Sequence, residues 1–212
     1  MTEAPDNVFR GIVGAYGKIK GAPAFIAFVG NMDSPHVQEE VGYMGEGIVL
    51  EATALGLGSC WIGGRFKPEV AASLTGTKED ERVLCVTPFG YVKKRQSFEE
   101  RIISVFGLTS RRKPLSRLTS GLEEKQWPEW TSSVLEAARL APSAINRQPW
   151  HFHIEPNNIT ISADSGSRDS TVSKRLDCGI AMLHIEIAAR HYGMQGRWEF
   201  LDAPQVARFT IT

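Results

Sequence analysis

Cysteines are few in this sequence, and long apolar runs are absent. The 212-residue chain has three cysteines, Cys60, Cys85 and Cys178, which lie far apart in apolar surroundings. An odd number of widely spaced cysteines does not fit a disulfide framework, so we expect buried thiols in a reducing compartment. No apolar run approaches the roughly 20 residues that span a membrane, and Met1–Arg10 lacks the apolar stretch of a signal peptide. These absences predict a soluble, cytoplasmic protein.

An excess of either charge is also missing. Lysine plus arginine number 24, as do aspartate plus glutamate, and 42% of the residues are apolar. The charge balance gives no reason to expect binding to nucleic acid or to an acidic membrane surface. The apolar fraction suffices for one sizeable core or two closely joined halves, and it argues against extensive disorder.

Several common catalytic and ligand-binding motifs are absent as well. The sequence has no Walker string, and Gly56-x-Gly58 follows a predicted helix instead of a strand, so it is not a dinucleotide-binding loop. Ser59 lacks the small turn after it that a hydrolase nucleophile needs. His151 and His153 share one face of a predicted strand, but no cysteine or third histidine is near in sequence, so we predict no metal site.

Apolar periodicity predicts an alternation of helices and strands. Helices are predicted at 37–57, 66–73, 130–140 and 176–191, and strands at 24–29, 82–91, 150–154, 159–162, 197–200 and 207–212. The first long helix contains Gly42, Gly45 and Gly47, each of which lowers helix stability by about 1 kcal/mol relative to alanine. We therefore expect this helix to pack closely against another helix or a ligand.

The stretch 141–150 predicts a corner between a helix and a strand. Pro142 ends the preceding helix, and Pro149 predicts an extended conformation for Gln148. Ser143, Asn146 and Gln148 offer hydroxyl and amide groups without a fixed charge. Such groups suit the edge of a neutral heteroaromatic ring better than a phosphate or a metal. The alternative is that the prolines only shape a turn whose backbone the amides satisfy.

Two further stretches could approach a ligand. Gly56 or Gly58 is predicted to cap the first long helix, and the following glycines let backbone amides come close to a neighbour. The arginines and the lysine at 111–113 could bind a phosphate, since an arginine fork matches its oxygens. A plain helix end and a solvated basic loop are the alternatives.

All three stretches resemble segments of one family. The string Ala-Pro-Ser-Ala-x-Asn-x-Gln-Pro-Trp at 141–150 resembles the flavin-contacting corner of FMN-dependent nitroreductases. Gly-Leu-Gly-Ser-Cys-Trp at 56–61 resembles the turn that faces the pyrimidine side of the flavin, and 111–115 resembles the string that holds the FMN phosphate. The resemblance implies a cofactor-binding set that consists of Leu57, Gly58, Ser59, Arg111, Arg112, Lys113, Pro142, Ser143, Ala144, Asn146 and Gln148.

The resemblance also implies a fold. We expect an α+β, nitroreductase-like domain over residues 1–212, with a central mixed or antiparallel sheet flanked by helices. The chain is similar to single-chain family members in which two degenerate halves, here about 1–117 and 118–212, mimic the usual homodimer and build one FMN site. Matching Gly47 with Gly179 and Gly58 with Gly193 is compatible with such a duplication.

The implied activity is hydride transfer from NAD(P)H through FMN to an electron-poor acceptor, such as a nitroaromatic or a quinone, in a ping-pong scheme. No side chain is expected to act as a nucleophile or obligatory acid, because the flavin carries the chemistry. We expect a monomer or a weak homodimer.

One departure from the family pattern concerns Met1–Arg10, which lacks the Arg-Arg-Ser-x-Arg string that grips the FMN phosphate in the family. Either the chain starts inside a longer gene product or this contact is lost, and we predict weaker FMN retention. The alternative function is a flavin-binding or flavin-less pseudoenzyme that acts as a binding protein.

Overall fold

The computed structural model describes residues 8–9, 13–14, 17–18, 22–64, 66–91, 111–166 and 171–212. Within them, the helices are α1 (Val37–Ala54), α2 (Pro68–Thr75), α3 (Glu129–Leu140) and α4 (Lys174–His191). Each matches a helix that the periodicity predicts, with its ends shifted by no more than a few residues. Apart from Val8 and Phe9, the segment Met1–Arg10 lies outside the described residues, and so do the basic residues between 92 and 110.

The strands, in chain order, are β1 (Val13–Gly14), β2 (Gly17–Lys18), β3 (Ala24–Asn31), β4 (Gly58–Ser59), β5 (Glu81–Gly90), β6 (Thr119–Gly121), β7 (Trp150–Glu155), β8 (Asn158–Ala163), β9 (Gly196–Phe200) and β10 (Gln205–Ile211). They form a five-stranded sheet in the order β6-β7-β8-β10-β9, a three-stranded sheet in the order β3-β5-β4, and the pair β1-β2. The fold is therefore mixed α+β, with sheets flanked by helices, as predicted. Within the described residues, the strands form separate sheets and not one continuous sheet.

Strand β6 is one of the strands that the sequence did not predict, together with the two-residue strands β1, β2 and β4. It pairs in parallel with β7, whereas the other pairings of the five-stranded sheet are antiparallel. The backbone N–H of Phe152 donates to the carbonyl of Leu118 at 2.7 Å, and that of Leu122 donates to Ile154 at 3.0 Å. Because Thr119-Ser120-Gly121 is short and polar, it carries no strand pattern of its own, and pairing with β7 alone makes it a strand.

The main core lies where α3 and α4 pack on the five-stranded sheet. Phe152, Ile161 and Phe209 from the strands are fully buried against Val134 of α3 and Ile185 of α4. The alternation of buried and outward residues along β7 follows the two-residue period of a half-buried strand, which is why the sequence predicts it well. A second cluster beneath the three-stranded sheet contains Val8, Phe9, Ile62, Ala71, Val83 and Val86.

Helices α1 and α4 pack closely at two glycines. A Cβ on Gly42 would collide with the carbonyl oxygen of Leu176, and a Cβ on Gly179 would collide with that of Glu39. Gly45 likewise lies directly beneath the rings of Trp61 and Phe28. The prediction that this helix packs closely against another helix or a ligand is confirmed at Gly42, which faces α4, whereas Gly45 packs against two aromatic side chains. At Gly47 a Cβ would reach only ordinary contact, 3.6 Å from Leu183.

Both long helices end in the same way. Gly56 after α1 has φ of 75° and Gly193 after α4 has φ of 74°. In each case two backbone N–H groups bond back to the last turn, such as Leu57 N to Ala52 O at 2.9 Å and Met194 N to Ala189 O at 2.9 Å. This is the Schellman arrangement, in which a left-handed residue ends the helix and glycine is preferred. The predicted cap at Gly56 is confirmed.

The helices correspond in a different register from the one the sequence suggests. Gly42 and Gly179 are separated by the same number of residues as Gly56 and Gly193, and α1 and α4 are each 18 residues long. This register replaces the matches of Gly47 with Gly179 and of Gly58 with Gly193. The sequence suggested another register because both helices are rich in small and apolar residues. Similarity between two such helices does not fix how they should be aligned. The division at residues 117 and 118 stays a prediction.

No helix in the described part of the chain is both long enough and apolar enough to cross a membrane.

Candidate functional site

The corner between α3 and β7 contains unusual backbone conformations. Helix α3 ends at Leu140 before Pro142, a short 3₁₀ turn covers Ala144–Asn146, and β7 begins at Trp150. The predicted helix-to-strand corner is thus confirmed. Ile145, Asn146 and Gln148 have φ of 48°, 55° and 48°. Positive φ is rare outside glycine and is strained for a β-branched residue, so neighbouring contacts must hold this corner in shape.

The predicted extended conformation of Gln148 is wrong, because its φ lies in the left-handed region. The cause is a set of hydrogen bonds that outweighs the local preference before Pro149. The Gln148 backbone N–H donates to Ser143 Oγ at 2.9 Å, and its side-chain Nε2 donates to the carbonyl of Asn146 at 3.0 Å. The side chain is almost fully buried, with 3% exposed. Burial with these partners fixes the backbone as well as the amide.

The basic string and the corner meet directly. Asn146 Nδ2 donates to the carbonyl oxygen of Arg111 at 2.8 Å, and Gln148 Nε2 donates to the same oxygen at 3.1 Å. Lys113 donates two hydrogen bonds to Gln148. Its backbone N–H donates to Oε1 of Gln148 at 2.7 Å, and its Nζ donates to the backbone carbonyl of Gln148 at 2.9 Å. Two stretches that the sequence predicts as parts of one site are therefore in contact.

Arg112 adds a second connection to the same corner. Its Nη1 donates to Asn146 Oδ1, and its Nη2 donates to the carbonyl oxygen of Leu140 at 3.0 Å. Leu140 is the last residue of α3, so the cation also lies at the negative end of a helix dipole. Arg111 is exposed, and Arg112 and Lys113 are half-buried. The cations of Arg112 and Lys113 therefore both contact the corner, and Arg111 contacts it through its backbone carbonyl.

A buried carboxylate from α4 supports the corner from behind. Asp177 Oδ1 accepts the backbone N–H of Ala144 at 3.0 Å, and Oδ2 accepts Nε of Arg147 at 2.7 Å. Burial raises the pKa of Asp177, while the Arg147 charge and the Ala144 N–H act in the opposite direction. Arg147 also donates from Nη2 to the carbonyl of Val172 at 2.9 Å.

The glycine turn lies in the three-stranded sheet. Gly58 pairs with Gly90 and Ser59 with Phe89 at the end of β5, and Leu57 precedes them. Residues 57–59 are half-buried. The same turn then continues to Gly63 and Gly64, which lie against the side chains of Val172 and Thr171. Since Val172 accepts a hydrogen bond from Arg147, this segment joins the glycine turn to the corner region.

Two polar clusters between α1 and α4 were not predicted from the sequence. In one cluster, Glu46 is only 1% exposed. Its carboxylate accepts a hydrogen bond from Trp61 Nε1 at 2.8 Å and lies 2.9 Å from His184 Nε2. In the other, Glu186 accepts Tyr43 Oη at 2.7 Å and Trp198 Nε1 at 3.0 Å. Each joins α1 to α4. The signal that could have found them is a glutamate on the apolar face of a long helix.

Besides the predicted site, the described residues contain a groove but no candidate metal-binding cluster. A groove of about 360 Å³ lies between α1, α3 and α4, and its lining includes none of the predicted cofactor residues; it consists of Leu50, Ser133, Ala137, His184, Ile187, Ala188, His191 and Tyr192. Among the described residues, no group of three or more His, Cys, Asp or Glu side chains is arranged to hold a metal ion. Cys60, Cys85 and Cys178 are free thiols.

The fold and the motifs together define a nitroreductase-like protein. The chain belongs to the family described as "Putative TM nitroreductase", whose model matches residues 1–189. A solved structure of a putative nitroreductase from Thermotoga maritima MSB8 has the same fold, with a TM-score of 0.64 and 23% sequence identity over 90% of this chain and 72% of that chain. No curated protein matches the sequence. Family membership supports a general oxidoreductase role.

Proposed function

We propose that the protein is an FMN-dependent oxidoreductase that uses NAD(P)H as reductant and an electron-poor small molecule, such as a nitroaromatic or a quinone, as acceptor. The observation that carries this proposal is the direct contact between Arg111–Lys113 and the corner residues Asn146 and Gln148. This contact brings cations that could serve a phosphate beside the corner, where Ser143 offers a neutral hydroxyl for a ring.

The donor groups present fit FMN. Arg111, Arg112 and Lys113 provide adjacent positive charges, which match a dianionic phosphate better than a neutral ligand. Ser143 provides a neutral hydroxyl, and Pro142 and Ala144 add a small apolar surface, as the edge of an isoalloxazine requires. Leu57, Gly58 and Ser59 would supply backbone groups from the three-stranded sheet. The corner is also preformed, because its own hydrogen bonds hold the strained residues in place.

The chain would bind and orient, while the cofactor would supply the redox chemistry. When bound, FMN would supply hydride transfer between NAD(P)H and the acceptor, and the two substrates would react in ping-pong order. Asn146 and Gln148 hold the basic string at the corner, which fixes the cations relative to the ring site. Asp177 and Arg147 hold the corner itself. No side chain is assigned as nucleophile or obligatory acid.

The visible spectrum of the purified protein tests this proposal. We expect added FMN to remain with the protein through a desalting column at about one FMN per chain, since the halves would form one site. Anaerobic addition of NADPH or NADH should then bleach the bound flavin, and adding a quinone should restore its colour. A protein that keeps no flavin contradicts the proposal. Bound flavin that neither reductant bleaches would favour a flavin-binding protein without this activity.

A further inference from the structure

A buried ion pair links the two segments that would flank the flavin. Asp177 is 1% exposed and binds both Ala144 N–H and the Arg147 guanidinium. Arg147 then reaches the carbonyl of Val172 at 2.9 Å. We name the pair Arg147–Asp177 the clasp. Asp177 lies on α4 and Arg147 lies in the corner. Val172, which accepts the further hydrogen bond from Arg147, lies in the segment before α4.

The other side of that segment touches the glycine turn. A Cβ on Gly63 would lie 2.6 Å from Cγ2 of Val172, and a Cβ on Gly64 would collide with Oγ1 of Thr171. Such contact is possible only because both residues are glycines. Within the described residues, the clasp therefore connects the corner to the exit of the glycine turn through Thr171 and Val172.

The energetics favour a positional role over a stabilising one. A buried ion pair contributes little net stability compared with apolar side chains of similar volume, although breaking it is costly. The corner, in contrast, needs outside support, because three non-glycine residues have positive φ within it. Asp177 binds the first N–H of the strained turn and the arginine that follows it.

We propose that the clasp positions the corner relative to Gly63 and Gly64 at the exit of the glycine turn, and so sets the affinity for a planar heteroaromatic ring held between the corner and that turn. The part that concerns the ring rests on the proposed function. Asp177 and Arg147 are positioning residues, since they act through Ala144, Val172 and the glycine pair. Disruption of the clasp should loosen both segments together, in the protein with or without flavin.

Hydrogen exchange of the flavin-free protein tests the coupling. Asp177→Asn retains an acceptor for Ala144 N–H but loses the charge that holds Arg147. We expect its amides at 143–148 and at 62–64 to exchange about tenfold faster than in the unaltered chain. Glu186→Gln is the control, because Glu186 is a buried carboxylate on the same helix, about 13 Å away along the axis. It should leave both segments within about twofold of the unaltered rates.

Faster exchange at 143–148 alone, or at neither segment, would contradict the proposed role of the clasp in coupling the two segments. If Asp177→Asn fails to fold, Arg147→Lys replaces it, because one ammonium group cannot reach both Asp177 and Val172 in the way a guanidinium does. This variant should show the same paired increase. A rise confined to the corner would again contradict the proposal.

FMN titration by fluorescence then tests the link to the cofactor. Asp177→Asn should raise the Kd for FMN about tenfold, and Glu186→Gln should change it less than about twofold. An unchanged Kd in a variant whose amides exchange faster would separate the clasp from the ring site and overturn that part. If the unaltered protein binds no FMN, the proposed function fails, while the exchange data still decide whether the clasp couples the two segments.

Discussion

Gly42 on α1 and Gly179 on α4 face each other's helix at reciprocal positions. Gly42 lies against the carbonyl of Leu176, and Gly179 lies against the carbonyl of Glu39. A contact in which each helix presents the equivalent residue to the other is isologous, as in a twofold dimer. The caps at Gly56 and Gly193 occupy equivalent positions on the two helices, and the duplication of the chain stays a prediction.

This crossing predicts opposite effects for two glycines on the same helix pair. Gly179→Ala should lower the free energy of unfolding by about 1–3 kcal/mol, because the added methyl would push against backbone that cannot move aside. Gly47→Ala is the matched change: its methyl meets Leu183 at 3.6 Å, and alanine favours the helix by up to about 1 kcal/mol. Urea unfolding measures both. A stable Gly179→Ala protein would show that the helices can separate at low cost.

The sequence predicted most of the local structure for identifiable reasons. The alternation in Trp150–Glu155 and the helical spacing in α3 are direct consequences of burial on one face, so they can be recognised without the fold. Strand β6 could not be, because it depends on pairing with β7, which is distant in sequence. The positive φ of Gln148 could not be either, because it depends on hydrogen bonds that form only in the folded corner, to Ser143 and Asn146 and to the carbonyl of Arg111.

The candidate site likewise contains parts that the sequence could predict and parts that it could not. The corner and the basic string were recognisable as motifs, and the structure brings Lys113 to Gln148. Their supporting residue, Asp177, has no local signal, since an aspartate in the first turn of a helix is ordinary. Glu46 and His184 form their contact across 138 positions, and no spacing rule links them.

The cluster around Glu186 predicts a pH effect in the alkaline range. Burial, the hydrogen bond to Glu186 and its charge raise the pKa of Tyr43 to about 12. The unfolded chain has a tyrosine pKa near 10, so the folded state holds the proton more tightly, and stability present below about pH 10 is lost as the pH rises towards 12. The loss should be at most about 2 kcal/mol, because the phenol is partly solvent-screened.

Tyr43→Phe should remove this loss. The free energy of unfolding of the variant, measured by urea at several pH values, would fall less steeply between about pH 10 and 12 than that of the unaltered protein. Trp198→Phe is the control, since it removes another donor to Glu186 and keeps the phenol. Equal slopes for the Tyr43→Phe variant and the unaltered protein would show that Tyr43 does not carry the effect.

Cys85 and Cys178 should be unreactive in the folded protein. Burial raises the pKa of Cys60, and burial together with the charge of Asp177 raises those of Cys85 and Cys178 further. Since the thiolate is the reactive form, we expect no more than about one of the three thiols to react with a disulfide reagent within minutes at pH 8. All three should react in denaturant. Rapid reaction of Cys85 or Cys178 in the native protein would contradict their burial.

A charge change at Arg111 separates phosphate binding from ring binding. The bonds that Arg111 makes to Asn146 and Gln148 go through its backbone carbonyl, and the residue is exposed. Arg111→Gln should therefore leave the corner intact and remove only a cation. If that cation faces the phosphate, the Kd for FMN should rise about ten- to a hundredfold, the equivalent of one lost charge-assisted hydrogen bond, as measured by fluorescence titration.

Riboflavin, which lacks the phosphate, is the decisive comparison. Its Kd should be the same for Arg111→Gln and the unaltered protein, because the ring-binding groups at Ser143 and Ala144 are unchanged. Arg117→Gln removes an exposed arginine nearby and should affect neither ligand if the loss is local rather than a general effect of net charge. Equal weakening of FMN and riboflavin would mean that Arg111 acts on the ring or on the fold, and its assignment to the phosphate would then be wrong.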